Sequence, residues 1–172
     1  MTDTPAEPLE RIFLVVVDNT AELRVALRFA SLRARNTGGR VALLYVIEPA
    51  DFQHWMSVEN LMREEGRLEA EEVLQTYSAE VQQWSGRTPV LHLREGKLQD
   101  ELLKLIDEDQ SISILVLGAD TGGKGPGPLV SALAGKMAGK LRVPLTIVPG
   151  NLTGDQIESL TGGAGGGPNH TS

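Results

Sequence analysis

Three short apolar runs constrain this chain most. They are Ile12–Val17, Val41–Ile47 and Ile112–Leu117, rich in valine, isoleucine and leucine and almost free of polar residues. A strand with one wet face alternates apolar and polar residues, because successive side chains point to opposite sides. A nearly unbroken run needs cover on both faces, as inner strands of a parallel sheet have. Two further segments read as edge strands. Thr88–Arg94 sets Leu91 and Leu93 against Val90, His92 and Arg94, and contains Pro89. Val143–Pro149 has a proline near each end. Proline cannot donate to a ladder, so it favours a sheet edge.

Helical segments separate these strands. Asn19 or Thr20 is placed to cap a helix that runs to about Asn36 and stops at Gly38-Gly39. Its apolar residues Leu23, Ala26, Leu27, Ala30 and Ala34 keep helical spacing. Ser57–Trp84 is the longest helical stretch. Its expected apolar stripe is Val58, Leu61 and Met62, then Val73, Leu74, Tyr77, Val81 and Trp84. Leu98, Leu102, Leu105 and Ile106 mark a third helix; Val130, Leu133, Met137 and Leu141 mark a fourth. Ser131, Gly135 and Gly139 recur at every fourth position of that helix. Glycine costs about 1 kcal/mol relative to alanine in a helix interior, so close packing of this face is expected.

The order β-α-β-α-β-α-β-α-β predicts an α/β fold. It is a single doubly wound, Rossmann-like domain over 11–150, with a parallel sheet and helices on both faces. Residues 1–10 and the glycine-rich stretch 151–172 read as a disordered segment and a flexible tail, with a short helical turn at Asp155–Leu160.

Composition removes several functions. Sixteen Lys and Arg against 23 Asp and Glu give a formal charge of −7. Repulsion from phosphates then disfavours nucleic acid as a partner. There is no cysteine, and the three histidines lie far apart in sequence, so no metal site is expected. No apolar run approaches the ~20 residues of a membrane helix, and the first residues carry no export signal. A cytoplasmic protein without a membrane partner is the expectation.

With strands three and five at the edges, strand order reverses between strands one and four, and ligands of such folds bind beyond the carboxyl ends there. Asp18, Asn19 and the loops after Ile47 and Leu117 are therefore the candidates. The Asp18 carboxylate can accept hydrogen bonds from a ribose or an adenine amino group, or it can serve the following helix alone. The loop Gly118–Pro128 can bring amides and Lys124 to an anion, or be a plain surface loop. Pro126 and Pro128 remove two N–H donors from it. Phe52, His54, Trp55 and Met56 can form a lid or a stacking wall, or tuck onto the helix layer. Glu95-Gly96 reads as a structural turn. No nucleophile with its base stands out, so no catalytic residue is assigned.

Several segments, in order, resemble the universal stress protein family over Arg11–Gly150. They are Val15-Val-Val-Asp18, Leu43-Leu-Tyr-Val-Ile47, Arg94-Glu-Gly96, Leu117-Gly118, and Val143-Pro-Leu-Thr-Ile-Val148. The resemblance implies a five-stranded sheet in the order 3-2-1-4-5, and a homodimer through the edge strand 143–148. It also implies ATP or another adenine nucleotide as ligand. Members that bind ATP carry G-x2-G-x9-G-[ST] after strand four. Here those positions are Gly118, Thr121, Ser131 and Ala132, so three of the four differ; a register slip brings Gly122 to the second. The implied nucleotide site is Val17, Asp18, Asn19, Val46, Leu117, Gly118, Thr121, Gly122, Lys124, Ser131 and Ala132. The expected function is a regulatory stress-response module. The alternatives are a slow ATPase or nucleotidyl-transfer enzyme of the same superfamily, and a dimeric interaction module without a nucleotide.

Overall fold

Ile12–Val16 forms the first strand, β1, and all five of its side chains are buried. The computed structural model describes residues 10–49 and 56–162, the side chains of 56–60 excepted. In it, β1 lies between β2 (Arg40–Ile47) and β4 (Ile112–Ala119). The two edges are β3 (Val90–Glu95) and β5 (Leu145–Pro149), giving the order β3-β2-β1-β4-β5 with every pairing parallel. Proline and alternation thus marked both edges correctly.

The apolar run of β1 serves two cores. Ile12, Leu14 and Val16 pack with Leu102, Leu105 and Ile106 of α3 (Leu98–Glu108) and Leu133 of α4 (Pro128–Ala134). Phe13, Val15 and Val17 pack with Leu23 and Leu27 of α1 (Glu22–Thr37), and with Leu74 and Val81 of α2 (Met56–Ser85). Alternate side chains of one strand feed opposite layers, so no position is left for a polar residue.

Five local expectations are corrected. Neither Asn19 nor Thr20 caps α1: Ala21 occupies that position and makes no side-chain bond. Instead Asp18 Oδ1 accepts from the Thr20 amide at 3.0 Å and the Thr20 hydroxyl at 2.5 Å, ordering the turn before the helix. The apolar stripe of α2 does not hold near its start, where Leu61 and Met62 are 57% and 41% exposed and the first buried described residue is Ala70. Thirty helical residues span about 45 Å, whereas the six of β3 span about 20 Å. The first turns of α2, before Arg63 meets Glu95 at the end of β3 (2.8 Å), therefore extend past the sheet.

The fourth helix is also shorter than its spacing suggests. It stops at Gly135, whose φ and ψ are −100° and −112°, and a 3₁₀ turn follows at Ala138–Lys140. Close packing does not explain its glycines. A Cβ on Gly139 would meet nothing within 4 Å, and one on Gly135 would meet only carbonyl groups of its own preceding turn. Met137 and Leu141 still pack on the core. Next in the chain, Arg142 donates to the carbonyls of Ile106 (2.7 Å), Asp109 (3.1 Å) and Ile112 (3.1 Å), joining the end of α3 to β4.

Finally, the packed chain continues past residue 150. A last helix, α5 (Gly154–Leu160), opens with a reciprocal Thr153–Gln156 capping box and buries Ile157. The Thr161 carbonyl accepts from Asn36 Nδ2 at 3.0 Å, tying the segment to α1. The glycine-rich composition that marked the tail begins only at Gly162. Residues 1–9, the candidate lid residues Phe52, His54 and Trp55, and the end from 163 lie outside the described residues.

His92 on β3 is half-buried, and its Nε2 is buried without a hydrogen-bond partner. Burial holds the imidazole below its ordinary value; Arg94 adds to this and Asp109 opposes it. The unfolded chain therefore takes up this proton first as pH falls through about 6.5. Stability should drop as pH falls through that value. Urea midpoints at about pH 7.5 and 5.5 should differ less in His92→Gln than in the native chain; an equal difference would remove His92 as the cause.

Candidate functional site

A cleft of about 710 Å³ lies beyond the carboxyl ends of the strands, where β1 and β4 send their helices opposite ways. Val17 and Asp18 from the end of β1, and Tyr45 and Val46 from β2, line its inner part. Leu98 of α3 and Pro128 and Leu129 of α4 face them. Asn19, Glu48, Lys97, Gln99 and Asp100 complete the lining. An adjoining cavity of about 240 Å³ shares Asp18, Leu98, Pro128 and Leu129 with it, and adds Leu117 and Gly118.

Pairing fixes Asp18 at this place. The Val17 amide donates to the Leu44 carbonyl at 2.8 Å, so the chain stays tied to β2 up to the residue before Asp18. Oδ1 of Asp18 is held by Thr20. The other oxygen has no protein partner among the described residues and is available to a ligand. The two roles read for Asp18 from the sequence are thus compatible.

The β3–α3 connection supplies a further wall. Gly96, at φ 147°, donates its amide to the Ile47 carbonyl at 2.9 Å and turns the chain into α3. Lys97 then caps α3 with extended backbone and no side-chain bond. The free Leu98 amide is taken instead by Glu48 Oε1 at 3.1 Å, across from β2. Asp100 and Glu101 add two more carboxylates to the first turn, complementing the positive helix end.

The structure divides the sequence-derived site. Val17, Asp18, Asn19 and Val46 meet in the cleft, and Leu117 and Gly118 line the smaller cavity beside it. Thr121, Gly122, Lys124, Ser131 and Ala132 line neither cavity. Thr121, Gly122 and Lys124 are exposed. Their loop is closed on itself: Asp120 donates its amide to the Pro126 carbonyl at 3.2 Å, and Gly122 donates to Asp120 Oδ1 at 2.8 Å. Ser131 is exposed, and its amide is spent on the Gly127 carbonyl at 3.0 Å.

Gly118 has a packing reason of its own. A Cβ there would come 2.6 Å from the Glu22 carbonyl oxygen, where the first turn of α1 lies against β4. Glu48 and Pro128 lie in the two loops named from the sequence, whereas sequence reasoning missed Tyr45, Leu129 and the α3 side at Lys97, Leu98, Gln99 and Asp100. One signal was available. In a parallel sheet every strand-to-helix loop opens at the same edge, so the turn after β3 belongs to the crevice as much as the others.

The lining charges are Asp18, Glu48 and Asp100 against Lys97. With the apolar inner surface, this arrangement suits a flat, uncharged group that offers hydrogen-bond donors to Asp18. Among the described residues, no three His, Asp or Glu side chains gather to hold a metal ion, and no helix is long and apolar enough to cross a membrane.

The sequence model of the universal stress protein family matches residues 10–149. No curated protein sequence matches the chain. Solved structures similar to it include the universal stress protein UspA from Lactobacillus plantarum. That protein is 16% identical, with TM-score 0.67, covering 81% of this chain and 97% of the other. A universal stress protein family member from Burkholderia pseudomallei is 20% identical, with TM-score 0.62, covering 83% and 98%. The universal stress protein from Archaeoglobus fulgidus in complex with dAMP is 21% identical, with TM-score 0.57, covering 81% and 98%.

Gly118→Ala tests whether packing alone demands this glycine. The added methyl should lower stability by about 1–3 kcal/mol, read from the urea midpoint. A neutral result would mean α1 can retreat from β4.

Proposed function

The chain belongs to the universal stress protein family, and from that premise we propose that it is a stress-response regulatory module whose cleft binds an adenine nucleoside or nucleotide. One observation carries the reading. Asp18, with one carboxylate oxygen unengaged, sits beside the half-buried apolar side chains of Val46, Leu98 and Leu129 in the cleft. An aromatic base can lie on those surfaces while Asp18 accepts from an amino group or a ribose hydroxyl. Two structural relatives support the ligand class: the Archaeoglobus fulgidus protein is a complex with dAMP, and another universal stress protein is a complex with cAMP.

Among the described residues the cleft offers no assembled nucleophile and base, so binding rather than turnover is the proposed role. Denaturing freshly purified protein and resolving the supernatant for nucleotides tests occupancy directly. Asp18→Ala should weaken adenosine binding by about 1–3 kcal/mol, read by calorimetric titration of a variant whose melt shows it folded. Unchanged affinity would move the ligand away from Asp18.

We further propose that two copies pair through β5. It is an edge strand, and Ile147 on it is 41% exposed. A bare apolar edge exposes unpaired backbone groups to any other strand, a hazard that pairing removes. Light scattering at micromolar concentration should find a dimer, and Ile147→Lys should yield monomers. A monomeric native chain would end this assignment.

A further inference from the structure

We infer that the cleft selects for ligands with little phosphate charge, and that Glu48 is a determinant of this selectivity. The inference rests on the nucleoside reading above and names the ligand class of that same site.

Phosphate recognition needs N–H donors or cations aimed at one place. The β4–α4 loop, which is glycine-rich and next to the cleft, brings no cation there, and of its cavity-lining residues Gly127, Leu129 and Val130 alone keep an amide without an acceptor among the described residues. Pro126 and Pro128 have no N–H. The Asp120, Gly122 and Ser131 amides are bonded inside the loop and helix. Lys124 is exposed and lines neither cavity. The helix that follows has only seven residues and opens with proline.

The opposite wall offers the other potential anion subsite, the start of α3, and a carboxylate of the protein already occupies part of it. Glu48 Oε1 takes the Leu98 amide at 3.1 Å. A ligand phosphate would have to displace this carboxylate or sit beside it. Asp18 and Asp100 line the same cleft and add to the repulsion, against Lys97 alone. The interior beyond them is apolar at Val46, Leu98 and Leu129. The site therefore attracts a base and its sugar while discriminating against a polyphosphate.

Titration with adenosine, AMP and ATP at one ionic strength, with and without magnesium, tests this. The Kd for ATP should exceed that for adenosine by about tenfold or more, with AMP between them. ATP binding as tightly as adenosine in either condition would overturn the inference. No binding of any of the three would instead overturn the nucleoside reading of the cleft, and the inference with it. Glu48→Gln should lower the ATP-to-adenosine Kd ratio by about threefold or more. Because the readout is a ratio, partial loss of folded protein does not mimic it. A ratio that stays put would overturn the role of Glu48.

Discussion

Covering both faces of β1 is the requirement that the remaining elements satisfy. Ile12–Val17 are each no more than 5% exposed, and burying such side chains contributes about 1.5–3 kcal/mol apiece. One helix layer cannot do it, because alternate residues point to opposite sides. The parallel crossovers follow from that need, since each must return over one face or the other. The topology then fixes the cleft. β1 is central, its neighbours β2 and β4 lead the chain away in opposite directions, and the gap opens where Asp18 ends the buried run.

The same packing explains features that look functional in isolation. Gly118 stands at the first position of a phosphate-binding pattern, yet the Glu22 carbonyl fills the place its Cβ would take. Gly150, after β5, is closed off likewise by Glu22 Cβ at 2.6 Å. Two glycines thus let the first turn of α1 settle onto the ends of β4 and β5. A glycine shared with a binding motif can persist for this reason alone, whatever the loop behind it has lost.

Much of the fold was legible in the sequence because it rests on local rules. Run length, alternation and proline placed all five strands, and edge assignment followed from Pro89, Pro144 and Pro149. What escaped was set by neighbours rather than by sequence period. Leu61 and Met62 keep helical spacing but lie on the overhang of α2, where the sheet has ended. Gly135 breaks a helix that spacing alone carries to Leu141. Thr153 and Gln156 form a cap whose value is realised only because Ile157 finds α1. Of the site, the half on β1 and β2 was legible, since a carboxylate right after a buried strand is conspicuous. The half on α3 was not, because Glu48 and Leu98 are ordinary residues that become partners only through the β2–β3 register.

That partnership gives the cleft its chemical character. A helix start in a crevice is usually a place for an anion, because its amides point outward and its dipole is positive there. Here the protein supplies the anion itself. Glu48, just past the end of β2, satisfies the Leu98 amide, and Asp100 and Glu101 sit in the same turn. Glu101 is drawn elsewhere by Arg94 at 3.6 Å and Lys104 at 3.5 Å, which leaves Glu48 and Asp100 facing the opening together. Across the cleft, two prolines and three internal hydrogen bonds remove part of the other loop's donors. Both walls that could grip phosphate thus have some of their donors spent within the protein, while the surface near Asp18 keeps one acceptor oxygen free. The balance of spent donors and free acceptor, more than the shape of the cleft, underlies the proposed preference for a nucleoside over its phosphates.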